Sequence, residues 1–207
     1  ALPVEVCYRR DLNKAQKIIK EARNAKHLEL GEYQTQELFK AYEMPMLKSK
    51  LARTSEEAVQ IAKQFGQNVA LKIASPQIAH KTDVGGVILG LDAPQVIRSA
   101  FIEITSRVKR MRNDAYIAGC MVQAMAPQGS REVIVGFKRG ERFPPIIIFG
   151  LGGIHVEVFK DITCRLAPLS LDDVHRMIHD IKAYPILAGF KGKKGINFNA
   201  LEDVLLI

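Results

Sequence analysis

Long apolar stretches are missing from this 207-residue sequence. No run approaches the roughly 20 residues that a membrane-spanning helix needs, so we expect no membrane segment. The amino-terminal residues lack the basic-then-apolar pattern of a secretory signal. The sequence also begins without methionine, and we interpret it as a processed chain or as a piece of a longer, fused one.

Cysteine is scarce, and the spacing of Cys7, Cys120 and Cys164 matches no metal-binding motif. Cys120 and Cys164 lie in apolar strand patterns, where a buried thiol is the expected state. An odd number of cysteines without a disulfide framework indicates a reducing compartment. We therefore predict a cytoplasmic protein.

Acidic residues are outnumbered by basic ones, which gives a formal net charge of +8 at pH 7. Basic side chains cluster at residues 107–112 and again at 191–194. Aromatic residues interleave neither cluster, and the sequence carries no nucleic-acid-binding signature, so we predict no nucleic-acid partner. The charge is also suited to phosphorylated ligands or to an acidic partner.

Internal repeats and low-complexity linkers are absent as well, and the hydrophobic content of 47% supports a full core. The pattern predicts a helical connector over residues 1–30, a first α/β lobe over 31–112, and a sheet-rich second lobe with C-terminal helices over 113–207. A short strand is predicted to begin at residues 46–47, and further strands are predicted at residues 69–74, 87–91, 120–125, 132–137, 146–149, 154–159 and 162–166.

The segment from Lys72 to Gly86 carries the first candidate site. Lys72 lies between two alanines on one face of a strand, which leaves room for a ligand along that face. The loop that follows contains His80 and ends on Gly85 and Gly86, where a backbone without side chains can approach a phosphate closely. A strand lysine beside a glycine-rich turn indicates polyphosphate binding. A polar hairpin loop with a surface lysine explains the same pattern equally well.

A second candidate site surrounds the strand predicted at residues 154–159. Glu157 lies on the face of this strand that its apolar residues do not need, and a three-residue turn would place it opposite Arg165. The pair is either a structural ion pair or a magnesium ligand beside a phosphate-binding arginine. Asp161, on the turn, is the candidate for a second metal ligand.

The strand from Met121 to Met125 offers a place for a nucleotide base. Its backbone groups and Gln123 would read the edge of an adenine, and Met125 would pack on the ring. The competing interpretation is that Met121 and Met125 are ordinary core residues, which periodicity alone favours.

In this order, the motifs resemble the ATP-grasp domain of the NDP-forming acyl-CoA synthetases. The resemblance rests on residues 70–73 with 80–87, residues 122–125 with 131–133, and residues 149–153 with 156–157, 161, 165 and 168. It implies an α/β (α+β) fold of the ATP-grasp type, with two lobes gripping a nucleotide. The chain departs from the family pattern at Pro144, where glycine is usual, and at Cys120, where a branched aliphatic residue is usual.

The resemblance also implies a function. ATP or ADP would bind with Mg²⁺, and the residues carried over are Lys72, Gly85, Gly86, Gln123 and Met125 for the nucleotide, Glu157 and Asp161 for the metal, and His80 and Arg165 for catalysis. A CoA-binding subunit or domain would convert acyl-CoA and phosphate into acyl phosphate and CoA. The phosphoryl group would then reach His80, become a phosphohistidine and pass to ADP. The alternative is a catalytically silent nucleotide-binding or regulatory module of a larger protein, such as an acetyltransferase fusion.

Overall fold

The computed structural model describes residues 10–25, 29–66, 68–78, 80–140, 143–153 and 160–207. The chain forms two compact units, which we call the first unit (residues 11–126) and the second unit (residues 127–207). Within the described ranges, no helix is both long enough and apolar enough to cross a membrane.

In the part of the first unit that the structure describes, four helices accompany a four-stranded antiparallel sheet. Its elements are α1 (Leu12–Asn24), α2 (Glu32–Ala41), β1 (Ser49–Ala52), α3 (Ser55–Phe65), β2 (Val69–Ala74), β3 (Val87–Leu91), α4 (Pro94–Met111) and β4 (Gly119–Ala124). The strand order is β1-β4-β2-β3. The strand predicted to begin at residues 46–47 starts later in the structure, because pairing with β4 begins at Ser49, and Met46 and Leu47 are exposed.

Local capping explains where three helix ends of the first unit fall. The N–H of Lys14 donates to Asp11 Oδ1 at 2.9 Å, and the N–H of Glu57 donates to Thr54 Oγ1 at 3.1 Å. These bonds satisfy donors that the first turn of a helix leaves unpaired. At the other end of α3, Gly66 is left-handed with φ 67°, as a helix C-terminal glycine usually is. The sequence alone predicts these ends, because aspartate and threonine are favoured at helix N-termini and glycine at C-termini, and the structure confirms all three.

Helices α3 and α4 cover one face of the first sheet and form its core. Val69, Leu71 and Ile73 of β2 are fully buried there, together with Ile104 and Val108 of α4. Each side chain of this kind contributes about 1.5–3 kcal/mol when it leaves water. The alternation fixes β2 firmly and turns Lys72 towards the opposite face.

Strand β4 lies in the middle of the first sheet. It pairs with β2 from Gly119 to Ala124 and with β1 on its other side. The predicted lobe boundary after residue 112 therefore differs from the structure, in which the first unit continues to residue 126. The physical reason is that β1 and β2 do not pair with each other and need β4 between them.

Within its described residues, the second unit contains a three-stranded antiparallel sheet and three helices. Its elements are β5 (Val133–Lys138), β6 (Ile146–Leu151), β7 (Ile162–Leu166), α5 (Leu171–Asp180), α6 (Tyr184–Ala188) and α7 (Phe198–Leu206), with the strand order β5-β6-β7. Phe149 is fully buried against Val174, Met177 and Leu187. The strand predicted at residues 154–159 lies outside the described residues.

The other face of the second sheet carries apolar side chains that the helices do not cover. Register places them together, and Leu166 is 56% exposed. We call this surface the open face; it consists of Ile134, Ile146, Ile148, Ile162, Cys164 and Leu166. Cys164 is exposed, contrary to the expectation of a buried thiol, whereas Cys120 is buried as expected.

Candidate functional site

Lys72 lies at the centre of the first sheet, where it pairs with Met121 of β4 and Val87 of β3. The side chain is half-buried, and it forms no hydrogen bond or ion pair with any residue in the described ranges. Gln123 pairs with Ala70 and so shares the face of Lys72. Diagonal neighbours of this kind lie about 7–8 Å apart, within reach of one ligand. The structure thus brings these two predicted residues together.

The backbone of β4, in contrast, is not available to read an adenine edge. Its N–H and C=O groups are used by β1 on one side and by β2 on the other. At the last residue of the strand, the N–H of Ala124 donates to Lys48 O at 2.8 Å, and just beyond it the N–H of Met125 donates to Asn68 O at 3.0 Å. These backbone groups are therefore paired in this conformation, and adenine binding by residues 121–125 stays a prediction that rests on the side chains of Gln123 and Met125.

His80 is exposed, and its ring makes no hydrogen bond within the described part of the chain. The turn that follows it is closed by the N–H of Gly85, which donates to Thr82 O at 3.0 Å, and the N–H of Gly86, which donates to Lys81 O at 2.7 Å. Both N–H groups are thus used inside the turn in this conformation, and a nucleotide-binding role for Gly85 and Gly86 stays a prediction. The glycines shape the turn that presents His80.

Arg165 faces the helices of the second unit. It lies opposite Ile147 of β6, and its guanidinium donates to Asp180 of α5 at 2.5 Å. Thr163, two residues earlier on the same face, donates to Met177 O at 3.1 Å. The predicted partner Glu157 lies outside the described residues. Arg165 is on the opposite side of the sheet from the open face, where its ion pair with Asp180 links β7 to α5. A catalytic role for Arg165 stays a prediction.

Asp161 joins the start of β7 to the helical layer. Its two carboxylate oxygens accept the N–H groups of Lys182 and Ala183 at 2.8 and 2.7 Å. Each oxygen is thus bound to one backbone donor just before α6. The described residues also contain no group of three or more metal-ligating side chains that could hold an ion. Asp161 as a magnesium ligand stays a prediction, and its observed role is to anchor the chain before α6.

The glycines at the end of β6 form one wall of a cavity of about 340 Å³. The N–H of Gly152 donates to Glu132 O at 2.7 Å, and a Cβ atom on Gly152 would lie 2.9 Å from the carbonyl carbon of Glu132. The glycine motif therefore permits two backbone segments to meet. Glu132 borders this cavity and belongs to residues 131–133, one of the segments that carry the family resemblance, although the sequence alone predicts no role for it. The lining is Ser130, Arg131, Glu132, Leu151, Gly152, Gly153 and Ile186.

The first sheet carries a half-buried lysine, an exposed histidine follows the same strand, and a second sheet is backed by helices. This arrangement is the one expected of an ATP-grasp domain. The family model described as ATP-grasp domain matches residues 21–207. The chain is 43% identical over 193 residues to the beta subunit of ADP-forming acetate–CoA ligase I of Pyrococcus furiosus, which covers 93% of this chain and 82% of the relative. The chain therefore belongs to the ATP-grasp family of the ADP-forming acetate–CoA ligases and corresponds to their beta subunit. The predicted family and fold are confirmed.

Two solved structures of an acetyl-coenzyme A synthetase from Ca. Korarchaeum cryptofilum are similar to the chain. The first, in complex with coenzyme A and Ca-AMPCP, has a TM-score of 0.88 and 38% identity, and covers 93% of this chain and 83% of its own. The second contains coenzyme A and Mg-AMPPCP, with a phosphohistidine segment that points towards the nucleotide-binding site. Its TM-score is 0.78 at 35% identity, with 93% and 82% covered.

Proposed function

We propose that this chain is the nucleotide-binding part of an ADP-forming acyl-CoA synthetase and that it carries a phosphoryl group between His80 and ADP. One observation carries the proposal: an exposed histidine follows β2 on a closed turn, in the same unit as a lysine that has no counter-charge among the described residues. Family membership supports the assignment, because the relatives are ligases that form ADP.

ATP and ADP are the nucleotides of the proposal, and Lys72 is the residue that meets their phosphates. An ammonium group on a half-buried stem neutralises phosphate charge where water screens it less. Gln123, on the same face, supplies amide donors and acceptors to the ligand. The nucleotide analogues bound to the Korarchaeum synthetase support this choice of ligand.

Magnesium accompanies the nucleotide in this proposal. The ion prefers one or two carboxylates together with substrate phosphates, so a chain that supplies few ligands is compatible with it. Glu157 and Asp161 are the proposed ligands. In the observed conformation each oxygen of Asp161 accepts one backbone N–H group, which leaves it a lone pair for an ion. No step of the transfer is assigned to the metal.

His80 first has to accept the phosphoryl group, which needs a nucleophile that is neutral near pH 7. An imidazole nitrogen meets that need. An oxygen of the β-phosphate of ADP attacks the phosphorus of phosphohistidine. The phosphorus–oxygen bond of ATP forms while the phosphorus–nitrogen bond breaks, and the electron pair returns to the ring nitrogen of His80. Lys72 lowers the repulsion between the two phosphates. A catalytic role for Arg165 would require it to leave Asp180.

The partner in this proposal is a CoA-binding subunit or domain of the same synthetase. It makes acyl phosphate from acyl-CoA and phosphate, chooses the acyl group, and passes the phosphoryl group on to His80. The name of the Pyrococcus relative, a beta subunit, supports the need for another part. A cytoplasmic location is the corresponding proposal for the cell, and it rests on the unpaired thiols Cys120 and Cys164.

The test is His80→Ala, compared with His175→Ala on α5 as a matched exposed histidine. The full chain is incubated with Mg-ATP labelled at the γ-phosphate, which runs the transfer backwards. We expect acid-labile label on the wild type and on His175→Ala, and none on His80→Ala. Unfolding free energies should stay within about 0.5 kcal/mol of the wild type, as for most surface changes.

Two results would count against the proposal. Label that persists on His80→Ala would place the phosphoryl group on another residue. A wild-type chain that binds nucleotide but never becomes labelled would favour the silent nucleotide-binding module instead.

A further inference from the structure

The residue after His80 is tied to a helix that begins about fifty positions earlier in the chain. Lys81 Nζ lies 3.2 Å from Glu32 Oε2, and the two side chains are 24% and 29% exposed. Most surface ion pairs contribute little because water and side-chain entropy oppose them. Both side chains of this pair are partly buried, so water screens their attraction less than on an open surface. Glu32 is the first residue of α2, which gives the contact a firm support.

The backbone of Lys81 is connected to β2 by two hydrogen bonds through Gly86. Its carbonyl accepts the N–H of Gly86 at 2.7 Å, and the carbonyl of Gly86 in turn accepts the N–H of Ile73 at 2.8 Å. Gly86 has no room for a side chain, because a Cβ atom would lie 2.7 Å from Ile73 Cγ2. The Glu32–Lys81 contact therefore connects two rigid elements, α2 and β2, through the turn.

Residues on both sides of His80 are held by contacts, whereas the ring of His80 makes no hydrogen bond within the described part of the chain. Two residues before it, Ile78 is buried in the core of the first unit. One residue after it, Lys81 is held by side chain and backbone. The far end of the turn is held by Arg107, which donates to Gly85 O at 3.2 Å. The turn is therefore anchored at both ends in this structure.

We propose that Glu32 is a positioning residue for phosphoryl transfer at His80 and that it acts through Lys81. The inference rests on the proposed function, because it concerns the same histidine. Reaction requires the ring nitrogen and the phosphorus to meet in a narrow range of geometries. The tether keeps the turn in the conformation that presents His80, and its loss lowers the fraction of molecules that can react.

The experiment uses the full chain with Mg-ATP labelled at the γ-phosphate, under single-turnover conditions. The terminal phosphorus–oxygen bond of ATP breaks, ADP leaves with the electron pair, and the phosphorus–nitrogen bond to His80 forms. Glu32→Gln keeps the shape of the side chain and removes its charge. We expect the labelling rate to fall about three- to fivefold, the effect that a pair of this kind supports. The dissociation constant of the nucleotide should stay within about twofold.

The matched control is Glu56→Gln, which removes a carboxylate that pairs with Arg98 across α3 and α4. We expect its labelling rate to equal that of the wild type. A charge-swapped double variant, Glu32→Lys with Lys81→Glu, restores the pair with its polarity reversed. It should recover most of the rate that Lys81→Glu loses alone, which a general loss of stability would not allow.

The outcomes separate the two proposals. A wild-type chain without label overturns the proposed function. A labelled wild type with an equally fast Glu32→Gln variant overturns the positioning role alone. A double variant as slow as Lys81→Glu also overturns it, because Lys81 then acts through something other than Glu32.

Discussion

Lys72 carries its charge into a half-buried position on β2 and meets no carboxylate within the described ranges. Lys72→Ala should therefore cost little in folding but should weaken nucleotide binding by about 1.5–3 kcal/mol, the value for a hydrogen bond to a charged group. Calorimetric titration with Mg-ADP measures the difference. Lys63→Ala, an exposed lysine of α3, is the control. Equal affinities for wild type and Lys72→Ala would remove this lysine from the site.

Cys120 predicts how stability depends on pH. Burial raises the pKa of its thiol from 9.0 to about 12. Between these values the unfolded chain releases a proton that the folded chain keeps, so the free energy of unfolding falls as pH rises. Each pH unit in this window removes at most about 1.4 kcal/mol.

Comparison of the wild type with Cys120→Ala isolates the contribution of this thiol, because all other ionisable groups are the same in the two proteins. In urea unfolding, the stability advantage of the wild type over Cys120→Ala should shrink by at most about 2 kcal/mol between pH 8.5 and 10.5. An advantage that stays constant across this range would contradict the raised pKa.

At the scale of elements, the end of α2 contains a strained residue. Glu43 has φ 54°, and the N–H groups of Glu43 and Met44 donate to Lys40 O and Phe39 O. These two bonds form a Schellman motif, in which glycine is the usual left-handed residue. Glu43→Gly should raise the free energy of unfolding by about 0.5–1 kcal/mol, because a side chain is costly in this conformation.

Thermal unfolding of Glu43→Gly and Glu43→Ala tests the explanation. Alanine removes the same charge but keeps the Cβ atom, so it should not raise the melting temperature. A gain that appears equally with alanine would attribute the effect to charge.

Elements governed by local chemistry could be predicted from the sequence. The caps at Asp11, Thr54 and Gly66 depend on neighbours three or four residues away, and all three are confirmed. The position of β1 could not be predicted, because its register is set by β4. The same holds for Arg165, whose partner Asp180 belongs to a helix that packs on the sheet.

In the candidate site, too, features set by local sequence could be predicted and features set by tertiary contacts could not. Alternation along β2 was sufficient to place Lys72 opposite the core, and the turn residues were sufficient to expose His80. Glu32 could not be identified, because nothing in the sequence connects it to Lys81 before the fold brings α2 to the turn. The open face was also missed, since it depends on how β5, β6 and β7 align.

At the scale of the whole molecule, we expect the 207-residue chain to bind nucleotide without making acyl-CoA. The nucleotide residues belong to this chain, whereas the proposed CoA-binding part is a separate subunit or domain. Calorimetry with Mg-ADP should show binding, and a thioester assay with acetate, CoA and Mg-ATP should show no product. Thioester formed by the purified chain would mean that it carries the CoA chemistry itself.

The central position of β4 has a consequence for synthesis on the ribosome. Leu51 of β1 pairs with Met121 of β4, so β1 must wait for roughly seventy more residues before its partner exists. At about 5–20 residues per second, that interval lasts about 4–14 s. The β2–β3 hairpin can close much earlier, and it then presents the edge of β2 that β4 later occupies. During this interval the nascent chain exposes an unpaired strand edge that can pair with neighbouring polypeptides. We expect a chaperone that covers this edge to reduce aggregation during synthesis.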